Sequence, residues 1–368
     1  MIDGHSHTTM EQEKVADKNG KEVVLTQTGS YLKSFGQMTI TANGEISTKL
    51  ISSVETDKDP AVKQIEDQWI AQLDEELGQK IGRFDTVLDN YIYGGEDGKK
   101  ATRLVRSRET NTGDFAADAR YYLFLDQDVD VAIMNGGGVR NMAVTGDVTY
   151  KKLKEIHTFG NVACLQRVTG QQILDALEWG ARFVSEDVAT ECGGFLQVSG
   201  LTYEVHSYIK STVQHDEKDV WTGGPTGEYR VKNVKIYNKK TNTWDALDLN
   251  KEYKLAGYNY TLRDLGDGFA MFKGAVNELD YVMQDYLVLA NYLHAFPDSV
   301  VTGYENIEGG EGRITFVFKN AGGEDKPEPT PGPKTADETD LTFYMITGVV
   351  ALVGLGTCVM VRKKKEQE

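Results

Sequence analysis

Val129-Asp130-Val131-Ala132-Ile133-Met134-Asn135-Gly136-Gly137-Gly138-Val139-Arg140 is a short apolar run that stops at a glycine triplet and an arginine. Its length and β-branched content predict a buried strand over 129–134, and the glycines predict a tight turn after it. Two readings of that turn stay open. It is either a bare chain reversal, the commoner case for a lone triplet, or a loop whose backbone N–H groups approach a ligand while Arg140 offers a planar fork to a phosphate or carboxylate.

Working outward, Arg108-Glu109-Thr110-Asn111 leads into a predicted helix from Thr112 to Leu125. Downstream, helices are predicted over Thr149 to Ile156 and Gly170 to Ala181, and strands over Ala163 to Thr169, Ser199 to Val205, Tyr229 to Tyr237 and Tyr253 to Tyr260. Alternation of this kind predicts an α/β fold with α+β mixed sheets for residues 81–320. Two loops join an aromatic to glycine: Thr158-Phe159-Gly160-Asn161, and Tyr260 followed by Leu265-Gly266-Asp267-Gly268-Phe269. Phe159 is a base-stacking platform or a core plug, and Asp267 is an acceptor for a hydroxyl or amine or a solvated Asp-Gly turn.

The ends carry different signals. Near the start, Ile2-Asp3-Gly4-His5-Ser6-His7-Thr8 sets two imidazoles two residues apart, which on an extended strand face one side. His5 and His7 are candidate metal ligands, although a metal centre needs three or more donors and a scavenging pair or tag remnant has the same appearance. Strand-like runs follow at Glu22 to Gln27, Gln37 to Ala42 and Ser47 to Val54, so residues 1–57 read as the closing strands of a domain. Residues 58–80 carry apolar side chains at Val62, Ile65, Trp69, Ile70, Leu73 and Leu77 behind Pro60, a predicted linker helix.

At the other end, residues 321–340 are rich in proline, glycine and acid and predict an extended disordered spacer. Residues 341–361 are uncharged and apolar enough to cross a hydrocarbon layer of about 30 Å, and the basic tail 362–368 predicts that the acidic body lies outside the cell. No export signal precedes Asp3, so the sequence is expected to continue upstream. The net charge of −16 argues against a nucleic-acid polymer as partner. Cys164 and Cys192 read as core thiols in preference to a pair.

Taken in order, GHSHT, RETNTGDFAADA, NGGGVR, HTFGN, LQRVTGQQILDALE, GGFLQVSGL and GDGFAMF resemble the 5′-nucleotidase family. The resemblance runs from residue 2 to about residue 275. It implies a two-domain architecture whose N-terminal metallophosphoesterase domain is truncated in this chain, followed by a nearly complete substrate-binding domain. His5 and His7 would each ligate one of two divalent ions, with zinc, manganese, magnesium and calcium all open; no catalytic group falls within the chain. Arg106 and Arg140 match the phosphate-holding arginines, with Arg108 able to share that face. Asn135, Gly137 and Gly138 match a loop that contacts ribose and base. Phe159 matches one wall of a base clamp, Tyr260 the other with one extra residue before Gly266, and Asp267 the acid near the ribose hydroxyls.

That resemblance implies a phosphoric-ester hydrolase acting on nucleoside 5′-monophosphates. Cyclic 2′,3′-nucleotides or UDP-sugars are alternatives of the same family, and a non-catalytic nucleotide-binding wall protein is an alternative of another class. Pro333-Lys334-Thr335-Ala336 with the apolar span and basic end resembles a sortase cell-wall sorting signal of a Gram-positive bacterium. Gly332 and Ala336 depart from its usual leucine and glycine. The implied partners are sortase and peptidoglycan, with membrane contact through 341–361 before cleavage at Thr335.

Overall fold

Both faces of the Val131–Asn135 strand are buried, which is why its sequence reads as continuous apolar character instead of alternating. The computed structural model describes residues 1–5, 7–92, 102–188 and 190–319. It divides into two units, Met1–Leu73 and a second beginning at Asp74.

The first unit is two antiparallel hairpins. Thr9–Ala16 pairs with Glu22–Thr28, and Ser34–Ile40 pairs with Ile46–Ser52. Asp17 closes the first turn by accepting from the N–H groups of Asn19 and Lys21, each at 2.8 Å. Among the described residues, neither hydrophobic cluster includes a buried residue before Phe84. Tyr31, Leu32, Phe35, Ile40, Ile46 and Val54 are all exposed in this unit. Two-stranded hairpins without a buried apolar face are marginal on their own. Helix Pro60–Leu77 begins on an Asp59 cap, whose carboxylate accepts from Ala61 at 2.8 Å and Val62 at 3.1 Å. Its apolar stripe buries no residue.

In the second unit a five-stranded sheet runs in the order Leu196–Ser199, Val131–Asn135, Glu252–Tyr258, Ala163–Thr169, Val276–Leu279. Only the pairing of Val131–Asn135 with Glu252–Tyr258 is parallel, so the sheet is mixed. Alternate residues enter two cores. Val131, Ile133, Cys164 and Leu255 pack with helix Gly170–Gly180. Ala132, Met134, Leu165 and Ala256 pack with helices Asn111–Leu123 and Asp285–Leu293. Helix Gly170–Gly180 opens on a reciprocal cap between Thr169 and Gln172, and Asn111–Leu123 opens on Thr110. A four-stranded sheet, Thr243–Ala246, Val231–Asn238, Leu201–His206, Ile314–Val317, carries the last described strand. Cys164 and Cys192 are separate buried thiols.

A buried acid pair ties that last strand to the helix Asn111–Leu123. Glu109 accepts from the N–H groups of Arg313 (2.9 Å) and Ile314 (2.6 Å), and Asp114 accepts from Glu311 at 2.8 Å. Burial first, and then the Glu109 charge, hold the Asp114 carboxyl well above the ordinary aspartate range. The folded chain therefore keeps a proton that the unfolded chain gives up. This contribution is complete below the unfolded pKa and is lost as pH rises through the folded one. Asp114→Asn retains the acceptor for Glu311 and removes the titration. Its melting temperature is expected to fall less than that of the unaltered chain between about pH 4 and about pH 8. The gain at the upper pH should be at least about 2 °C, the shift that about 1 kcal/mol produces in a domain of this size.

Candidate functional site

The glycine triplet is a 3-10 turn over Gly136–Gly138 that caps the Val131–Asn135 strand. A side chain on Gly136 would place Cβ 2.2 Å from the Val105 carbonyl oxygen, and one on Gly138 would place it 2.4 Å from Met134 Cε. Gly136 is thus required by close packing against the backbone of the Leu104–Arg106 turn, whereas the atom beside Gly138 is the end of a flexible side chain. Gly136 donates its N–H to Phe195 and Gly137 donates to Gly193, both at 2.7 Å. Those two amides serve the fold, so the expectation that they approach a ligand is corrected.

Arg140 leaves the turn with its N–H on the Ile156 carbonyl at 3.0 Å. Its guanidinium donates to Gly137 O at 3.4 Å and lies 5.7 Å from the Phe159 ring. Phe159 sits in the 158–160 bend beside Gly160, whose φ is +69°, and is 61% exposed. A large apolar ring this open is not a core plug.

Arg106 stands on the adjacent 3-10 turn, Leu104–Arg106. Its Nε is buried and has no hydrogen-bond partner among the described residues. Burial, then the charges of Arg103 and Arg140, push its guanidinium down to about 10, against weaker support from Glu191 and Asp267. Arg103 is itself engaged, with its ion pair to Glu191 at 2.6 Å and its N–H on the same carboxylate at 2.9 Å. The result is a local surplus of positive charge in a strongly acidic chain, with an orphaned donor at its centre. An added anion relieves both.

Asp267 occupies the Gly266–Gly268 turn with φ +52°. Its two carboxylate oxygens accept from Tyr260 Oη at 2.9 Å and from Asn135 Nδ2 at 3.0 Å. Trp179 Nε1 fixes its carbonyl at 2.8 Å. Tyr260 is in the helical turn Asn259–Leu262, past the end of the Glu252–Tyr258 strand, and a Cβ on Gly266 would meet its ring at 2.4 Å. Burial and the Asp267 carboxylate push its phenol up to about 12, so it remains a donor.

The structure brings Arg106, Arg140 and Phe159 to one place beside Asn135, Gly137 and Gly138, and joins Asn135 to Tyr260 through Asp267. It places Arg108 elsewhere, which corrects the expected third phosphate arginine. The Arg108 guanidinium donates to the carbonyls of Ser107 (2.8 Å), Ser185 (2.7 Å) and Glu186 (3.2 Å) and lies 5.0 Å from the rings of both Phe316 and Phe318. It braces the last strand. His5 and His7 have φ of +69° and +59°, so they are not consecutive same-side positions of an extended strand. Among the described residues no three His, Cys, Asp or Glu side chains gather as a metal-holding group, so these residues alone do not compose a dimetal centre.

Arg103 and Glu191 carry no signal in the local sequence, because their pairing joins positions 88 apart. The sorting residues Pro333, Thr335 and Ala336 and the apolar run 341–361 lie outside the described residues. Among the described residues no helix is long and apolar enough to cross a membrane.

Residues 80–274 match the family described as 5′-nucleotidase, C-terminal domain. The chain is 27% identical over 353 residues to the trifunctional nucleotide phosphoesterase protein YfkN of Bacillus subtilis, covering 94% of this chain and 21% of that protein. It is 27% identical over 199 residues to the cell wall protein Lmo0130 of Listeria monocytogenes, covering 52% of this chain and 22% of that protein. Among solved structures, a 5′-nucleotidase precursor from Thermus thermophilus aligns with a TM-score of 0.62 and 26% identity over 87% of this chain and 59% of that one. The chain spans 21% to 56% of the length of the curated relatives compared.

Proposed function

The chain belongs to the 5′-nucleotidase C-terminal domain family, and from that premise we propose that it is the substrate-holding part of a surface-anchored, metal-dependent nucleotidase acting on nucleoside 5′-monophosphates. The observation that carries this reading is the buried Nε of Arg106, without a hydrogen-bond partner among the described residues, beside the Arg103 and Arg140 charges. A dianionic phosphate satisfies that donor and offsets the mutual repulsion of the arginines. Arg106 and Arg140 hold the phosphate, and Asn135 and Asp267 meet the ribose hydroxyls. Phe159 supports the base through a ring face that accepts any base. Hydrolysis is assigned to the longer protein and to none of the described residues. Surface anchoring through Pro333, Thr335 and Ala336 is part of the same proposal, supported by the three-part tail and by the likeness to a cell wall protein.

Calorimetry of the chain with AMP, adenosine and inorganic phosphate tests it. AMP is expected to bind more tightly than either of its parts; absence of AMP binding overturns the reading. Phe159→Ala is expected to weaken AMP and adenosine alike by about tenfold, the lower range of a lost stacking contact, and to leave inorganic phosphate unaffected.

A further inference from the structure

We propose that His157, held by Arg120, is a positioning residue that sets the shape of the Gly136–Arg140 turn and thereby orients the anion-binding arginine. The link to an anion rests on the nucleotide reading above; the link to the turn rests on geometry alone. His157 follows the helix Tyr150–Ile156 and is 2% exposed. Its Nδ1 lies 3.0 Å from the Gly138 carbonyl oxygen and its Nε2 lies 3.1 Å from Arg120 Nη2. A guanidinium only donates and a carbonyl only accepts. Nε2 must therefore be the bare acceptor, and Nδ1 carries the proton donated to Gly138.

Arg120 is an unusual partner to place there. It is fully buried and no carboxylate pairs with it among the described residues. Its other contacts among the described residues are the Ala116 carbonyl, Met134 Sδ at 2.7 Å and the face of Tyr258 at 3.9 Å, and among them its Nε has no hydrogen-bond partner. Burying such a group is costly when it is poorly satisfied. An apolar side chain in its place fills the core equally well but leaves the imidazole free to turn. The cation fixes one tautomer, since a proton on Nε2 would face another N–H. Burial and the Arg120 charge push the imidazole down to about 3, so it stays neutral.

The segment carrying His157 grips the turn at three points. Ile156 O takes the Arg140 N–H, His157 takes the Gly138 carbonyl, and Phe159 lies against the Arg140 guanidinium. Freed from the imidazole, the Gly138 peptide rotates and the direction of Arg140 changes with it.

The experiment compares the unaltered chain with His157→Asn and His157→Leu. Asn presents Nδ2 near the position of Nδ1 and keeps a donor for Gly138; Leu keeps the bulk and loses both contacts. Long-range imidazole 1H–15N spectra are expected to show a histidine with Nδ1 protonated and Nε2 bare that vanishes in both variants. Amide resonances of Gly137–Arg140 should shift in His157→Leu and return towards their original positions in His157→Asn. AMP affinity is expected to fall about tenfold in His157→Leu, with adenosine affinity kept, and to recover to within about threefold in His157→Asn. An Nε2-protonated tautomer, unmoved turn amides, or a loss of AMP and adenosine in step with melting temperature in both variants overturns the proposal. Failure of the unaltered chain to bind AMP overturns the nucleotide reading, while the tautomer and the turn amides still decide whether His157 holds Gly138.

Discussion

AMP is expected to bind Arg106→Met about 100-fold more weakly than the unaltered chain, with adenosine affinity unchanged. The guanidinium is partly buried, lacks a partner at Nε among the described residues and sits beside two like charges, so it is already destabilised as a cation before any ligand arrives. An incoming phosphate gains two charge-assisted hydrogen bonds and relieves that repulsion at once. Methionine fills the space of the aliphatic stem and supplies neither. The matched control is Arg108→Met. Its guanidinium is consumed by three backbone carbonyls and two phenylalanine faces, so the variant should bind AMP normally and melt at a lower temperature. Calorimetry and melting curves on the two variants separate a recognition arginine from a structural one. Equal losses of AMP binding in both would overturn the assignment.

The contrast between these two arginines also marks the limit of what the chain order reveals. They are two residues apart, and nothing local distinguishes them. Arg108 finds its partners at 185–186 and 316–318, and Arg106 finds its neighbours at 103 and 140, pairings that only the closed fold creates. Elements with strong local signals were legible. Val131–Asn135 declares itself through burial on both faces, and the helices after Thr110 and Thr169 through their caps. The strand Thr9–Ala16 was not legible, because most of its residues are exposed and no apolar alternation is imposed on it. Ser199 to Val205 reads as one strand but is two. Gly200, at φ +72°, breaks it so that the halves join different sheets.

The site shows the same division. Glycines at 136–138 announce a turn, and Arg140 after them announces charge, but which groups face the ligand depends on distant carbonyls at 193 and 195 that absorb two of the amides. Asp267 and Asn135 are 132 residues apart and become a single hydrogen-bonded unit only because adjacent strands of one sheet end side by side. Tyr260 illustrates a shift of one short helical turn. Read as the end of a strand it is a free aromatic wall; as the second residue of Asn259–Leu262 it is tethered to Asp267 through its hydroxyl.

Arg313→Met is expected to cost about 3 kcal/mol of stability, the lower end for breaking a buried ion pair by removing one partner. Arg313 makes a two-pronged contact with Asp118 at 2.8 and 2.7 Å, donates to Val198 O at 2.7 Å and lies 3.8 Å from Asp114. Ser199 and Tyr304 also donate to Asp118, both at 2.6 Å, so its carboxylate is the shared acceptor of this cluster. Without the guanidinium, that charge and the shared acids Glu109 and Asp114 lose their only close cation among the described residues. The pair is mostly enclosed, and water enters too little to replace it. In a domain of this size the loss should lower the melting temperature by about 6–12 °C. Asp118→Asn combined with Arg313→Met should recover part of it, because the uncompensated charge is then gone. Denaturant or thermal unfolding of the single and double variants measures the coupling directly. Strict additivity of the two losses would show that the pair contributes nothing as a pair.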